Sequence, residues 1–189
     1  MKPAVLLTRW VKLKYEGNLI KRSGEPYFTH LAAVAKMAQF AACMGYETGL
    51  CHDLLEDTST TENELLNALT SFGYTRSEAG YIANCVVELT DVFTPDVYPH
   101  LSKKKRKAKE GLRLTTISPE AQTIKYCDLI DNISWVMQYD KKHASKYLLK
   151  KQRLLSAMMN GDKELYQKAL NKIKKGLDVL ANSSHTSLQ

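Results

Sequence analysis

Residues 50–66 read LCHDLLEDTSTTENELL. Four groups that ionise or bind metals, His52, Asp53, Glu56 and Asp57, sit among leucines after an apolar segment. At helical spacing, three to four residues apart, they would share one face. Three of the four are acids, and burying unpaired carboxylates is costly. A divalent cation held by imidazole nitrogen and carboxylate oxygen removes that cost. Taken alone, a His-Asp pair more often ends a helix and faces water. Here the apolar setting is repeated elsewhere. His30 lies at the start of an Ala-rich segment, and Asp128 lies between apolar residues in TIKYCDLI.

The rest of the chain reads as helix. Of its 189 residues, 44% are hydrophobic, so a core can be buried, and Gly and Pro are sparse at 9 and 5. Helical periodicity predicts segments over 4–15, 30–45, 47–57, 61–73, 76–92, 103–114, 118–139, 144–159 and 162–180. Thr61 and Glu64 form a capping-box pattern, and Ser118 followed by Pro119 marks a helix start. No strand pair stands out. The expected fold is all-α, a bundle of about eight to nine helices. Residues 1–182 are read as one domain, with 183–189 as a frayed tail.

Composition narrows the function classes. The opening MKPAVLLTRW has too short an apolar run for a secretory signal, and no stretch approaches the roughly 20 apolar residues of a membrane span. A cytoplasmic protein without a membrane partner is expected. Cys43, Cys51, Cys85 and Cys127 form no C-x-x-C pair and read as reduced, mostly buried thiols. The formal charge is +7, yet KKKRKAK, residues 103–109, supplies six positive charges. The remainder is close to neutral, which disfavours a nucleic-acid partner, since that would want a wider basic face with stacking aromatics. The run reads equally as a solvated helix or as a local patch for a polyphosphate.

With these residues in place, His…His-Asp…Asp resembles the HD-domain metal-dependent phosphohydrolases. KRSGEPYFTH (21–30), HDLLEDTSTTENEL (52–65), FG (72–73) and IKYCDLIDN (124–132) resemble more closely the hydrolase domain of the RelA/SpoT-homologue enzymes, in particular the stand-alone small alarmone hydrolases. The likeness spans roughly residues 18–147. It implies an HD-type helical bundle and a divalent metal, typically manganese, on His30, His52, Asp53 and Asp128. It implies Glu56 and Asp57 as the pair that orients and activates the attacking water. It implies Lys21, Arg22, Ser23, Asn132 and Tyr147 as contacts to a nucleotide substrate. The departures fall on the substrate side. Leu31 stands where the family has Pro, Asp131 precedes the Asn in place of His or Tyr, Ser134 replaces an Arg, and the basic pair reads Lys-Arg rather than Arg-Lys.

Three functions fit these residues. The favoured one is metal-dependent hydrolysis of the 3′-pyrophosphate of guanosine alarmones, (p)ppGpp, to GDP or GTP plus pyrophosphate. With no room for a synthetase or regulatory domain, hydrolysis alone is expected. The alternative is an HD phosphohydrolase acting on another nucleotide: a nucleoside phosphate, NADPH or a 3′-phosphorylated nucleotide. Less favoured is a non-catalytic metal- or nucleic-acid-binding module, which would not need the Glu56-Asp57 pair. Oligomeric state stays open.

Overall fold

Two glycines fix how the first half of the chain folds. A Cβ on Gly45 would lie 2.1 Å from the Ala38 carbonyl oxygen, and one on Gly49 would lie 2.9 Å from the Ala35 Cα. Only glycine lets two helix backbones come this close. The computed structural model describes residues 1–186, with side chains through Asn182. In it, α2 (Phe28–Ala38) and α3 (Gly45–Cys51) pack through these glycines. The expected helix over 30–45 therefore stops at Ala38. Residues 39–44 turn back, with Met44 at φ 49°, so that α3 can return along α2.

The segment over 47–57 is likewise two helices, not one. After α3 the chain breaks at His52 and Asp53, and α4 (Leu54–Asp57) follows. The four ionisable groups are consequently not on a single helical face. His52 is buried, whereas Glu56 and Asp57 are exposed.

The remaining elements are α1 (Pro3–Lys14), α5 (Glu62–Phe72), α6 (Arg76–Leu89), α7 (Lys103–Arg113), a 3₁₀ turn (Leu114–Thr116), α8 (Pro119–Tyr139), α9 (Lys141–Leu155) and α10 (Lys163–Thr186). That makes ten α-helices and no strand among the described residues. Caps explain several starts. The Thr61 hydroxyl accepts the Glu64 N–H, although the Glu64 carboxylate goes to Lys14 rather than back to Thr61. The reciprocal capping box is at Thr75 and Glu78. The Ser118 hydroxyl accepts the Ala121 N–H, and Pro119 takes the first helical position. α10 runs six residues past the expected end at Leu180. Of the tail expected to fray, residues 187–189 lie outside the described residues. No described helix is long and apolar enough to cross a membrane. Cys51, Cys85 and Cys127 are buried thiols, Cys43 is exposed, and none is in a disulfide.

The core has two parts. Leu7, Val11, Leu50, Leu65, Leu69 and Ile82 pack α1, α3, α5 and α6 together. Ile124, Leu129, Ile133, Leu148, Leu155 and Ile173 pack α8, α9 and α10. Helix α2 serves both, with Leu31 and Ala35 in the first and Val34 and Ala38 in the second. His30 is on α2, His52 follows α3, and Asp128 is on α8, so the seam between the two parts gathers them.

The close α2–α3 contact carries a testable consequence. Gly49→Ala should cost about 1–3 kcal/mol, because the added methyl meets backbone that cannot yield. Gly80, on α6, has open space around its Cβ direction. Gly80→Ala should gain about 0.5–1 kcal/mol from backbone entropy. Thermal unfolding of both variants checks this: Tm should fall for the first and hold or rise for the second. Equal shifts would mean that α2 and α3 are not in backbone contact.

Candidate metal centre and flanking cavities

Each candidate ligand is aimed by the element that carries it. His52 is 1% exposed, and its Nδ1–H donates to the Gly49 carbonyl at 2.8 Å. A carbonyl only accepts, so Nδ1 carries a proton and Nε2 is the atom turned inward. That Nε2 is buried and makes no well-aligned hydrogen bond, its nearest acceptor being Asp53 Oδ2 at 3.1 Å. On α2, His30 is 6% exposed, and its Nδ1 is 2.7 Å from the Asp131 carboxylate. Its Nε2 therefore also faces the seam.

The two Nε2 atoms meet two carboxylates. Asp53 Oδ2 is 3.1 Å from His52 Nε2 and 3.7 Å from His30 Nε2. Asp128 Oδ1 is 3.4 Å from His30 Nε2 and 3.8 Å from His52 Nε2. His30, His52 and Asp53 form the tightest set, with one donor each inside 4.8 Å, and Asp128 joins through the histidines. Donors about 2.1 Å from a common ion lie about 3.0–3.4 Å apart in octahedral or tetrahedral arrangements. The spacing, the N/O donor set and the buried Nε2 of His52 all fit a divalent cation.

Supporting contacts fix the donors. Tyr27 donates its hydroxyl to Asp53 Oδ2 at 2.7 Å. Lys125 Nζ holds Asp128 Oδ2 at 2.7 Å, and Asn132 Nδ2 donates to Asp128 Oδ1. Electrostatics follow this wiring. Burial disfavours charge on Asp128, but the Lys125 ammonium overcomes it and holds the carboxyl well below the usual range. For Asp53 the charge of His52 overcomes burial and brings the carboxyl down to about 2. Burial would lower both imidazoles. Hydrogen bonds to Asp128 and Asp131 instead push His30 up to about 9, and the Asp53 charge leads in pushing His52 up to about 10. Without a cation the two rings would thus stay protonated at neutral pH, a charge state in which they answer the carboxylates themselves.

Glu56 stands apart from this set. Its Oε1 accepts the Asp91 backbone N–H at 2.5 Å, and burial pushes its carboxyl up to about 7. It lines a cavity of about 530 Å³ with Asp91, Lys107, Lys125, Lys150 and Lys151. A second cavity, about 280 Å³, opens on His30 and is walled by Leu19, Ile20, Trp135, Lys21 and Asn132. Asp57 is exposed as a residue, but its carboxyl is partly desolvated near Tyr27, and that desolvation followed by the Asp53 charge raises it.

The expected substrate contacts are distributed unevenly. Lys21 and Asn132 line the His30 cavity. The Arg22 guanidinium is instead held by Asp140 and by the Tyr139 carbonyl, each at 2.7 Å. The Ser23 hydroxyl turns to the Ile20 carbonyl at 3.5 Å. Tyr147 packs under the Lys151 ammonium, 5.3 Å from its ring centre. In the basic run, Lys103, Lys104 and Lys105 are exposed, Arg106 donates to the Leu101 and Tyr98 carbonyls, and of the six charged residues Lys107 lines the Glu56 cavity. Sequence inspection missed Tyr27, Lys125 and the role of Asp131. Lys125 was findable, three residues before Asp128 on one helix. The Asp131–His30 contact joins two helices and leaves no local trace.

Two measurements test the centre. The purified protein should bind about one divalent ion per chain, lost in His30→Ala and in Asp53→Asn, as elemental analysis would show. Because each imidazole must shed its proton to bind a metal, calorimetry in buffers of different ionisation enthalpy should show proton release at pH 7, with affinity rising toward pH 9. No proton release would remove the histidines from the ligand set. Asp131→Ala should weaken metal binding about 10–100-fold while the protein stays folded, the usual scale for a carboxylate that orients a ligating imidazole.

No protein-family model matches the sequence, and no curated protein matches it. Among solved structures, the fold matches one described as a metazoan ortholog of SpoT that hydrolyzes ppGpp and plays a role in starvation responses. The TM-score is 0.74 over 94% of this chain and 97% of that one, with 19% of residues identical. The chain therefore has the helical fold of that hydrolase, with His30, His52, Asp53 and Asp128 gathered at its centre.

Proposed function

We propose that this chain is a metal-dependent phosphohydrolase that removes the 3′-pyrophosphate of guanosine alarmones, giving GDP or GTP and pyrophosphate. The observation that carries the proposal is the buried Nε2 of His52, set among three further N/O donors from His30, Asp53 and Asp128. The fold shared with a ppGpp hydrolase supports the choice of substrate. Residues 1–182 would act as a single hydrolase domain in the cytoplasm.

His30, His52, Asp53 and Asp128 would hold the ion, with manganese as the expected metal. A bound divalent ion lowers the pKa of water and screens phosphate charge. Glu56, with its carboxyl near 7, is suited to take the proton of the attacking water. The water oxygen ends on phosphorus, the bond from phosphorus to the 3′-oxygen breaks, and the 3′-oxygen takes a proton from solvent to leave as a hydroxyl. Asp57 would help orient the water. Tyr27 keeps Asp53 in place and stays a donor, since burial and the Asp53 charge push its hydroxyl well up. The His30 cavity, apolar on one side and carrying Lys21 and Asn132 on the other, would take the nucleoside, with Ser23 and Tyr147 at its margins.

One observation favours another nucleotide as a second proposal. Arg22 and Asn132 are engaged inside the protein, by Asp140 and by Asp128. Two of the expected substrate contacts are thus already occupied.

A substrate panel separates the two. With manganese, ppGpp should yield GDP and pyrophosphate, resolved by anion exchange, and Asp53→Asn should abolish the reaction. Glu56→Gln should keep the metal and lose about 10²–10⁴-fold in turnover. In the wild type the rate should fall as pH drops below about 7, because a protonated Glu56 cannot accept the water's proton, and that limb should vanish in Glu56→Gln. Rapid cleavage of NADPH or a monophosphate with ppGpp untouched would select the second proposal.

A further inference from the structure

The geometry points to a cationic subsite, built by Lys107, Lys150 and Lys151 around the Glu56 cavity, that binds the outer phosphate of a pyrophosphoryl group. This subsite presupposes the hydrolytic centre only in placing the inner phosphorus beside Glu56.

Three helices each bring an ammonium to the same cavity of about 530 Å³: Lys107 from α7, Lys125 from α8, and Lys150 and Lys151 from α9. Three of the four carboxylates around them are committed elsewhere, and the fourth, Asp91, lines the cavity without forming an ion pair among the described residues. Asp128 holds Lys125. Glu110 holds Arg113 and the backbone N–H groups of Val92 and Phe93. Glu56 accepts the Asp91 N–H. Among the described residues, Lys107, Lys150 and Lys151 have no ion-pair partner. Lys107 and Lys150 are exposed and reach the cavity from its rim. Lys151 is half-buried over the Tyr147 ring. Burial and then Lys125 bring its ammonium down to about 8, and burial and then Lys107 lower Lys150. Like charges converging on one cavity are stabilised by a polyanion between them.

The cavity's position says which part of a substrate that anion is. Lys125 lines it and holds Oδ2 of Asp128, while Oδ1 of the same carboxylate faces the two histidines. The cavity therefore adjoins the metal centre through the Lys125–Asp128 pair. On the His30 side lies the other cavity, with its apolar walls. A ligand spanning all three places an organic group beside Trp135, one phosphate at the centre and a further phosphate among the lysines. A monophosphate would leave the lysines unanswered. The site is thereby selective for two phosphates in series, with inorganic pyrophosphate as the simplest ligand.

Titration calorimetry on the manganese-loaded protein tests this with inorganic pyrophosphate and orthophosphate as probes. Wild type should bind pyrophosphate at least about tenfold more tightly than orthophosphate, and K150Q/K151Q should lose about tenfold for pyrophosphate alone, the scale of a lost charge-assisted contact. Metal content and Tm of the double variant should match wild type. Lys104→Gln, exposed and outside the cavity, should bind pyrophosphate as wild type does. Equal affinity for the two anions, unchanged pyrophosphate binding in K150Q/K151Q, or an equal loss in Lys104→Gln would each overturn the subsite. Failure of the alarmone assignment reads separately: no cleavage of ppGpp, with pyrophosphate binding still dependent on Lys150 and Lys151, removes that substrate and upholds the subsite.

Discussion

A carboxylate buried in the middle of a helix must be answered by positive charge or hydrogen bonds, and Asp128 is that carboxylate. It is 4% exposed on α8. One of its oxygens meets Lys125 and the other meets His30, His52 and Asn132. Removing any one partner would leave charge stranded between two apolar clusters, which is far more costly than losing a surface ion pair. The rest of the centre follows from satisfying it. α2 must present His30, the α3–α4 break must present His52 and Asp53, and α3 must lie against α2 at a distance only Gly45 and Gly49 permit.

Much of this was legible before the structure. The all-helical class followed from periodicity and sparse Gly and Pro. α8 was readable because Ser118 caps it and Pro119 suits its first turn, both local signals. The metal residue types were readable because buried acids beside histidines need a counter-charge. What failed to show has one physical cause, namely contact between distant segments. Gln39 to Cys43 contains no helix breaker, so nothing local stops α2 at Ala38; the packing of α3 does. Nothing local interrupts 47–57 either, yet the break at His52 and Asp53 is what separates the donors from Glu56. Arg22 was expected to contact substrate only through the resemblance of KRSGEPY to the hydrolase family. Its partner Asp140 lies at the far end of α8, and no sequence pattern links the two.

The basic run illustrates the same limit. Six charges in seven residues invite a functional account as a block. The helix they form leaves five of them exposed, and one of these, Lys107, also lines the Glu56 cavity. The cations that keep it company, Lys150 and Lys151, come from α9, and in sequence they look like ordinary helix-surface residues.

The four donors come from three segments that only the completed fold brings together, astride the seam between its two apolar halves. An ion held there would bind the native chain and not the unfolded one, and would stabilise it by mass action in proportion to the logarithm of free metal. Metal supply would then set how much folded protein a cell keeps as well as how fast each copy works. Under scarcity the chain would be cleared by proteolysis as its activity fell, so that amount and activity would decline together.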